Sequence, residues 1–153
     1  MKKHSYRKYF FISIGGFIGA MIRFYFKGSG VFVNHGAIPV STLFVNLTGS
    51  FLLAIFLTFA VELWELDADI KLGVATGLFG AYTTFSTFCK EFVLMIDSYS
   101  YYAAVIYLIN SVLLGLIAAY LGIITARKVI ILITREEVAE DSMIVTETRE
   151  EEA

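Results

Sequence analysis

The chain has 153 residues, of which 58% are hydrophobic and 17% charged, and its formal net charge at pH 7 is −2. This length leaves room for one domain, and the single cysteine, Cys89, excludes an internal disulfide and a cysteine-rich metal site. A helix needs about 20 mostly apolar residues to cross the bilayer core, and several segments meet that condition. The sequence therefore predicts an all-α integral membrane protein.

Four spans are predicted in chain order, at about 9–26, 40–61, 72–96 and 101–125. The first apolar run is longer than a signal-peptide core and lacks a small-x-small cleavage site, so we interpret it as a retained span. Four crossings place both termini on one side. Residues 1–128 form the predicted membrane domain, and 129–153 form an acidic tail that we expect outside the membrane. For the tail, disorder, a short helix and a strand all remain open.

Small residues recur four positions apart in the first and third spans. The pairs are Gly15–Gly19, Gly16–Ala20 and Gly73–Gly77. In lipid, helices associate where small side chains let their backbones approach. We expect these faces to pack the helices together, and the number of such faces favours an oligomer.

Basic residues near the span ends are distributed unevenly. Eight lie on the side of the termini, namely Lys2, Lys3, Arg7, Lys8, Lys71, Arg127, Lys128 and Arg135. Three lie on the other side, namely Arg23, Lys27 and Lys90. The positive-inside rule then predicts cytoplasmic termini.

Polar residues inside the first two spans are the first functional candidates. Arg23 either extends to the interface or lines a wet cavity. In the second span, Thr42, Asn46, Gly49 and Ser50 share one helical face. Asn46 alone could link two helices, whereas the whole stripe indicates a face towards water or a permeating species.

The third span contains the segment GLFGAYTTFSTF, residues 77–88, which is unusual for a membrane helix. Gly77, Gly80 and the pair Thr83–Thr84 give it weak helical propensity near its middle. An unwound segment at membrane depth is tolerated where it is buried in protein or lines a cavity. Unwinding would free backbone carbonyls, which are suitable ligands for a hard cation.

The same segment offers groups that suit an anion. Ser86 and Thr87 can donate hydroxyl hydrogen bonds, and Phe85 and Phe88 lie three positions apart, on nearly one helical face. Phenylalanine rings have positive edges, which can favour an anion without a full charge. Plain packing is the alternative for two such rings. Their combination with hydroxyls and glycines favours the anion site.

Catalytic patterns are missing from the sequence. The spans carry no central Asp, Glu or His, and Glu91, towards the end of the third span, is the nearest acidic residue. We found no Cys/His ligand set, nucleophile–base pair or phosphate loop. We therefore predict that the protein is not an enzyme. Proton coupling is disfavoured, and Glu91 alone keeps it open.

Three motifs carry a resemblance to a known family. They are GGFIGAMIRF in the first span, TLFVNLTGSF in the second and GLFGAYTTFSTF in the third. In order and spacing they resemble the Fluc (CrcB) fluoride channels, over about residues 15–122.

The resemblance implies a passive, fluoride-selective channel of the plasma membrane that exports cytoplasmic fluoride and so gives fluoride resistance. It also implies an antiparallel, dual-topology dimer of four-helix subunits, a break in the third helix and two pores at the subunit interface. A structural sodium ion would lie on the twofold axis, held by backbone carbonyls of Gly80 and Thr83.

The resemblance assigns further residues to the fluoride pathway. The pore would be lined by Asn46, Phe85, Phe88, Ser86 and Thr87, with Arg23 in the vestibule and Tyr107 and Ser111 completing the lining.

The expected partners are fluoride, the lipid bilayer and a second copy of the chain; no nucleic acid is expected. The uneven count of basic residues is awkward for a chain inserted both ways. A heterodimer with an oppositely inserted relative therefore stays open beside the favoured homodimer.

Two rival functions agree less well with the sequence. A small multidrug or cation exporter of dual topology would need a glutamate in the first span, which the sequence lacks. A non-transporting membrane scaffold would explain the glycine faces but gives no reason for the segment TTFSTF.

Overall fold

The computed structural model describes residues 3–28, 38–63, 66–98 and 100–151, and every regular element in these ranges is helical. In chain order the elements are α1 (Lys3–Gly28), α2 (Val40–Glu62), α3 (Ala68–Leu72), a π-helix (Gly73–Phe79), α4 (Gly80–Tyr82), α5 (Phe85–Asp97) and α6 (Tyr101–Glu151). The predicted all-α class is confirmed.

Three described helices are long and apolar enough to cross a membrane. They are Tyr6–Gly28, Val40–Glu62 and Tyr101–Arg135, and they match the first, second and fourth predicted spans. The third predicted span, at about 72–96, is divided among the shorter segments from α3 to α5. No single helix there reaches the same length.

Ion pairs mark one end of the helix bundle. Arg7 near the start of α1 lies 3.5 Å from Asp67 and 3.9 Å from Asp69, which precede and begin α3. Arg127 of α6 lies 2.9 Å from Glu62 at the end of α2. Exposed ion pairs of this kind contribute little stability. The pairs bring together the starts of α1 and α3, and the end of α2 with the later part of α6. Because few residues separate Glu62 from Ala68, all four lie at one end of the bundle, so successive segments run in opposite directions.

Helix α6 extends well beyond its predicted end near residue 125. Its 51 residues correspond to about 75 Å of helix, whereas the hydrocarbon core is about 30 Å thick. The predicted acidic tail is helical in its backbone as far as Glu151, and residues 152–153 lie outside the described residues. That the tail lies outside the membrane stays a prediction.

Glycines set the close contact between α1 and the π-helix. A Cβ atom on Gly15 would overlap the backbone of Gly73 and lie 2.9 Å from the amide nitrogen of Leu78. A Cβ atom on Gly19 would overlap the carbonyl of Leu78, and one on Gly77 would lie 2.7 Å from the carbonyl oxygen of Ile12 in α1. The prediction that these small residues pack the helices is confirmed.

Helices α2 and α6 also pack along each other, through a glycine outside the predicted small-residue pairs. A Cβ atom on Gly122 would lie 2.5 Å from the carbonyl oxygen of Phe51 and 3.0 Å from the Cβ atom of Ala54. Two helix pairs, α1 with the π-helix and α2 with α6, are thus each joined through small residues.

Between α4 and α5 the backbone is extended at two residues, Thr83 and Thr84. Their φ/ψ angles are −72°/159° and −147°/109°. The Thr84 hydroxyl accepts a hydrogen bond from the amide of Thr87 at 3.2 Å, which caps the start of α5. We call these two residues the extended dipeptide.

The side chain of Asn46 on α2 holds the extended dipeptide. Its Oδ1 accepts from the Thr84 amide at 2.8 Å, and its Nδ2 donates to the Thr84 carbonyl at 3.1 Å. Buried backbone groups need partners, and Thr84 is only 4% exposed. The carboxamide therefore supplies both hydrogen bonds that a continuous helix would have supplied.

We expect Gly19→Ala to lower stability, although alanine has the higher helix propensity by about 1 kcal/mol. The new methyl would overlap the carbonyl of Leu78, and overpacking costs about 1–3 kcal/mol. Gly115→Ala is the matched control, because nothing lies within 4 Å of its Cβ position. The measurement is the melting temperature of purified protein in detergent. Equal melting temperatures for the two variants would contradict this packing.

We expect Asn46→Ala to lower stability by about 1–3 kcal/mol, since it leaves the amide and carbonyl of Thr84 without partners. Asn110→Ala is the control, because Asn110 is half-buried on α6 and makes no hydrogen bond to the described residues, so its loss leaves no backbone group there unpaired. Both are compared by unfolding midpoints in a denaturing detergent titration. An Asn46→Ala midpoint equal to that of Asn110→Ala would show that the carboxamide does not hold the extended dipeptide.

Candidate functional site

Hydroxyl groups converge where α5 begins. The Thr84 hydroxyl donates to Thr87 Oγ1 at 2.8 Å, and Ser86 Oγ lies 3.4 Å from Thr84 Oγ1. Because Thr87 Oγ1 acts as the acceptor, its own proton is not committed to any described residue. Ser86 is exposed. Two of the predicted pore residues can thus offer neutral O–H donors to an anion.

The extended dipeptide also changes the bonding of two backbone carbonyls. In a continuous helix, the carbonyls of Gly80 and Thr83 would accept from the amides of Thr84 and Thr87. Those amides instead donate to Asn46 Oδ1 and to Thr84 Oγ1. The two carbonyls that the family resemblance assigns to a sodium ion therefore lack their α-helical donors.

Arg23 reaches one of these carbonyls. Its Nη1 lies 3.5 Å from the carbonyl oxygen of Thr83, at the long limit of a hydrogen bond. A carbonyl oxygen has two lone pairs, so this contact does not saturate it. Arg23 is half-buried and also borders a groove on α1 lined by Phe17 and Phe24. Its predicted place in a vestibule stays a prediction.

Phe85 and Phe88 form a ring pair with very different exposure. Their centroids are 5.9 Å apart and their planes are inclined by 28°. Phe88 is 9% exposed and packs on Tyr107 with a centroid separation of 5.1 Å, whereas Phe85 is 77% exposed. The two rings share one face, as the spacing predicts. Contact of either ring with fluoride stays a prediction.

A polar cluster that the sequence motifs do not predict lies behind Phe88. We call it the Glu91 cluster. The carboxylate of Glu91 accepts from Thr42 Oγ1 at 2.7 Å, from Lys27 Nζ at 3.4 Å and from the Tyr107 hydroxyl at 2.9 Å. Lys27 Nζ also donates to Thr42 Oγ1 at 2.9 Å. Four elements thus meet at one carboxylate.

The two remaining predicted residues lie on α6. Tyr107 is fully buried, and its hydroxyl donates to Glu91. The hydroxyl oxygen of Ser111 is buried and has no hydrogen-bond partner among the described residues. A buried hydroxyl without a partner is uncommon. Their predicted role in lining the pathway stays a prediction.

The sequence did contain a signal for the Glu91 cluster. Lys27 ends the first span, Thr42 begins the second, and Tyr107 follows the start of the fourth. In an up-and-down bundle these three positions lie at the same end as the later part of α5, which contains Glu91. Topology combined with residue type could have predicted the cluster, whereas motif spacing alone did not.

Comparison with known proteins places the chain in a family. A family described as CrcB-like protein, Camphor Resistance (CrcB), matches residues 10–123. A protein of Staphylococcus epidermidis named fluoride-specific ion channel FluC 1 is 38% identical over 117 residues, which cover 76% of this chain and 93% of that protein.

Two further relatives have the same level of identity. A FluC 1 protein of Bacillus cereus is 38% identical over 74% of this chain and 83% of its own length. A protein of Oceanobacillus iheyensis named fluoride-specific ion channel FluC is 38% identical over 76% of this chain and 89% of its own length. All three relatives are named as ion channels, which agrees with the prediction that this chain is not an enzyme. On the matched region and these identities, the chain belongs to the CrcB-like family.

Proposed function

We propose that this chain is a fluoride-selective ion channel that lets fluoride leave the cytoplasm passively and so gives fluoride resistance. The observation that carries the proposal is the extended dipeptide, which lies beside Phe85 and Phe88 in a chain whose relatives are named fluoride-specific ion channels. The chain is a multi-pass protein of the plasma membrane, as its family and its three apolar helices establish.

The chemistry of the site suits a small, strongly hydrated anion. A narrow pathway must replace the water of the ion with several donors, yet bind it weakly enough for release. The hydroxyls of Ser86 and Thr87 and the edges of Phe85 and Phe88 are neutral donors of this kind. In this proposal they share the ion between them, and no single cation traps it.

In this proposal the membrane potential alone drives the export of fluoride. A negative-inside membrane potential favours outward movement of an anion by about 2.3 kcal/mol per 100 mV. A passive pathway is therefore sufficient for export.

A second protomer would complete the pathway in this proposal. Phe85 is 77% exposed, and Ser86 beside it is exposed as well. An antiparallel homodimer would cover these residues and give two equivalent pores at its interface. Its dual topology is proposed despite the uneven count of basic residues, because the exposed polar and aromatic face needs an equivalent partner surface.

A structural sodium ion fits the backbone oxygens next to the extended dipeptide. The carbonyls of Gly80 and Thr83 lack their α-helical donors, and hard cations prefer oxygen ligands. Among the described residues no cluster of three acidic, His or Cys side chains could hold a metal. A bound cation there would supply charge that joins two protomers at their twofold axis.

The direct test is fluoride efflux from liposomes that contain the purified protein, with chloride-loaded liposomes as the control. We expect fluoride to leave under a potassium-diffusion potential and chloride to be retained. Equal permeation of both anions, or proton-dependent uptake of a cationic dye, would contradict the proposal.

We expect Phe88→Ile to reduce fluoride efflux by about tenfold, or about 1.4 kcal/mol, while the protein still assembles, because the variant loses the positively polarised ring edge that the proposal assigns to the anion. Phe56→Ile is the matched control, since Phe56 packs on Phe79 with a centroid separation of 6.2 Å and lies outside the proposed pathway. Efflux is measured as initial rates at equal protein density, with assembly checked by gel filtration. Equal rates for the two variants would remove Phe88 from the pathway.

A further inference from the structure

Lys27 does not behave as an ordinary interfacial lysine. It lies in the last turn of α1, where a lysine side chain commonly extends into the headgroup region. Its ammonium group instead donates to Thr42 Oγ1 at 2.9 Å and lies 3.4 Å from Glu91 Oε1. The exposed fractions of the two charged side chains are 28% and 19%. The pair is therefore only partly screened by solvent.

Glu91 lies close enough to the ring pair for its charge to act on an anion there. Its other carboxylate oxygen accepts from the Tyr107 hydroxyl at 2.9 Å, and the Tyr107 ring packs on Phe88. One residue thus connects the carboxylate to the ring pair. An uncompensated negative charge at this place would repel an approaching anion, because interactions between partly buried charges are weakly screened.

A cleft leads to the carboxylate from outside the helices. It measures about 280 Å³ and is lined by Pro39, Glu91, Leu94, Met95, Ser98 and Ser100. Glu91 is the charged residue in this lining, so the charge of the Glu91 cluster sets the potential that an ion meets there.

We propose that Lys27 is a positioning and charge-compensating residue for fluoride passage: its ammonium cancels the charge of Glu91 and holds Thr42 and Glu91 in place at one end of the pathway. This inference rests on the proposed function and adds a residue outside the three sequence motifs.

The test compares initial fluoride efflux from liposomes for the wild-type chain and Lys27→Met over a wide range of fluoride concentrations. We expect a loss of about tenfold at low fluoride, the size that Coulomb's law gives for one uncompensated charge about 12 Å from the ion at an effective dielectric constant near 20. The difference in rate between wild type and Lys27→Met should become smaller at high fluoride. The local potential changes how readily the ion enters the pathway, whereas the number of assembled pores stays the same. Lys90→Met is the matched control, since it removes an exposed lysine next to Glu91. Its rate should stay within about twofold of wild type.

Two further variants separate charge from packing. Lys27→Gln keeps a hydrogen-bond donor and a similar length, so it should assemble and show the same deficit at low fluoride. The double variant Lys27→Met/Glu91→Gln removes both charges and should recover most of the lost rate, as a coupled pair requires. A residue with a merely structural role would lower the rate equally at all concentrations, and the double variant would not recover.

The outcomes distinguish this inference from the proposed function. If the wild-type protein passes fluoride and both Lys27→Met and Lys27→Gln keep the wild-type rate, only the proposed role of Lys27 is overturned. A concentration-independent loss without recovery in the double variant would overturn it as well. Absence of fluoride efflux from wild-type liposomes would overturn the proposed function and this inference with it.

Discussion

The two hydrogen bonds between the Asn46 carboxamide and the Thr84 peptide group are the constraint on which the site depends. An extended dipeptide inside an apolar bundle removes backbone groups from their helical partners, and unpaired groups of this kind are costly in hydrocarbon. Asn46, on the neighbouring helix α2, supplies hydrogen-bond partners for the amide and the carbonyl of Thr84. Since the carboxamide is fixed on α2, it also fixes where α5 begins.

This interaction changes the hydrogen bonding around the start of α5. The displaced amides of Thr84 and Thr87 leave the carbonyls of Gly80 and Thr83 available, and the redirected hydroxyls leave a proton on Thr87 uncommitted. Phe85 and Phe88 follow directly on the same short helix. At the far side of Phe88, the ion pair between Lys27 and Glu91 keeps the charge balanced. The site therefore combines neutral donors with compensated charges, which suits an ion that must both bind and leave.

Much of this arrangement could be predicted from the sequence, because membrane spans and small-residue faces follow from local composition. Three of the four predicted apolar runs are long helices in the structure. The spacing of Gly15, Gly19, Gly73 and Gly77 predicts a close contact between helices, which the structure shows. The weak helical propensity around Thr83 and Thr84 likewise indicates where regular structure is difficult to maintain.

The rest depended on contacts between distant segments. Nothing in the local sequence states that Asn46 bonds the backbone of Thr84, 38 residues away, or that Lys27 turns inward to Glu91, 64 residues away. The continuation of α6 to Glu151 also exceeded the prediction, because the hydropathy of a span ends before its helix does.

The most direct measurement is solid-state NMR of the threonine-labelled protein in lipid bilayers, since the carbon chemical shifts of Thr83 and Thr84 distinguish extended from helical backbone. An interrupted third segment predicts extended-type shifts at both residues in the wild-type protein, with Thr84 becoming heterogeneous in Asn46→Ala. Helical shifts at both residues in wild-type protein would contradict the account, because the site described above would then not exist.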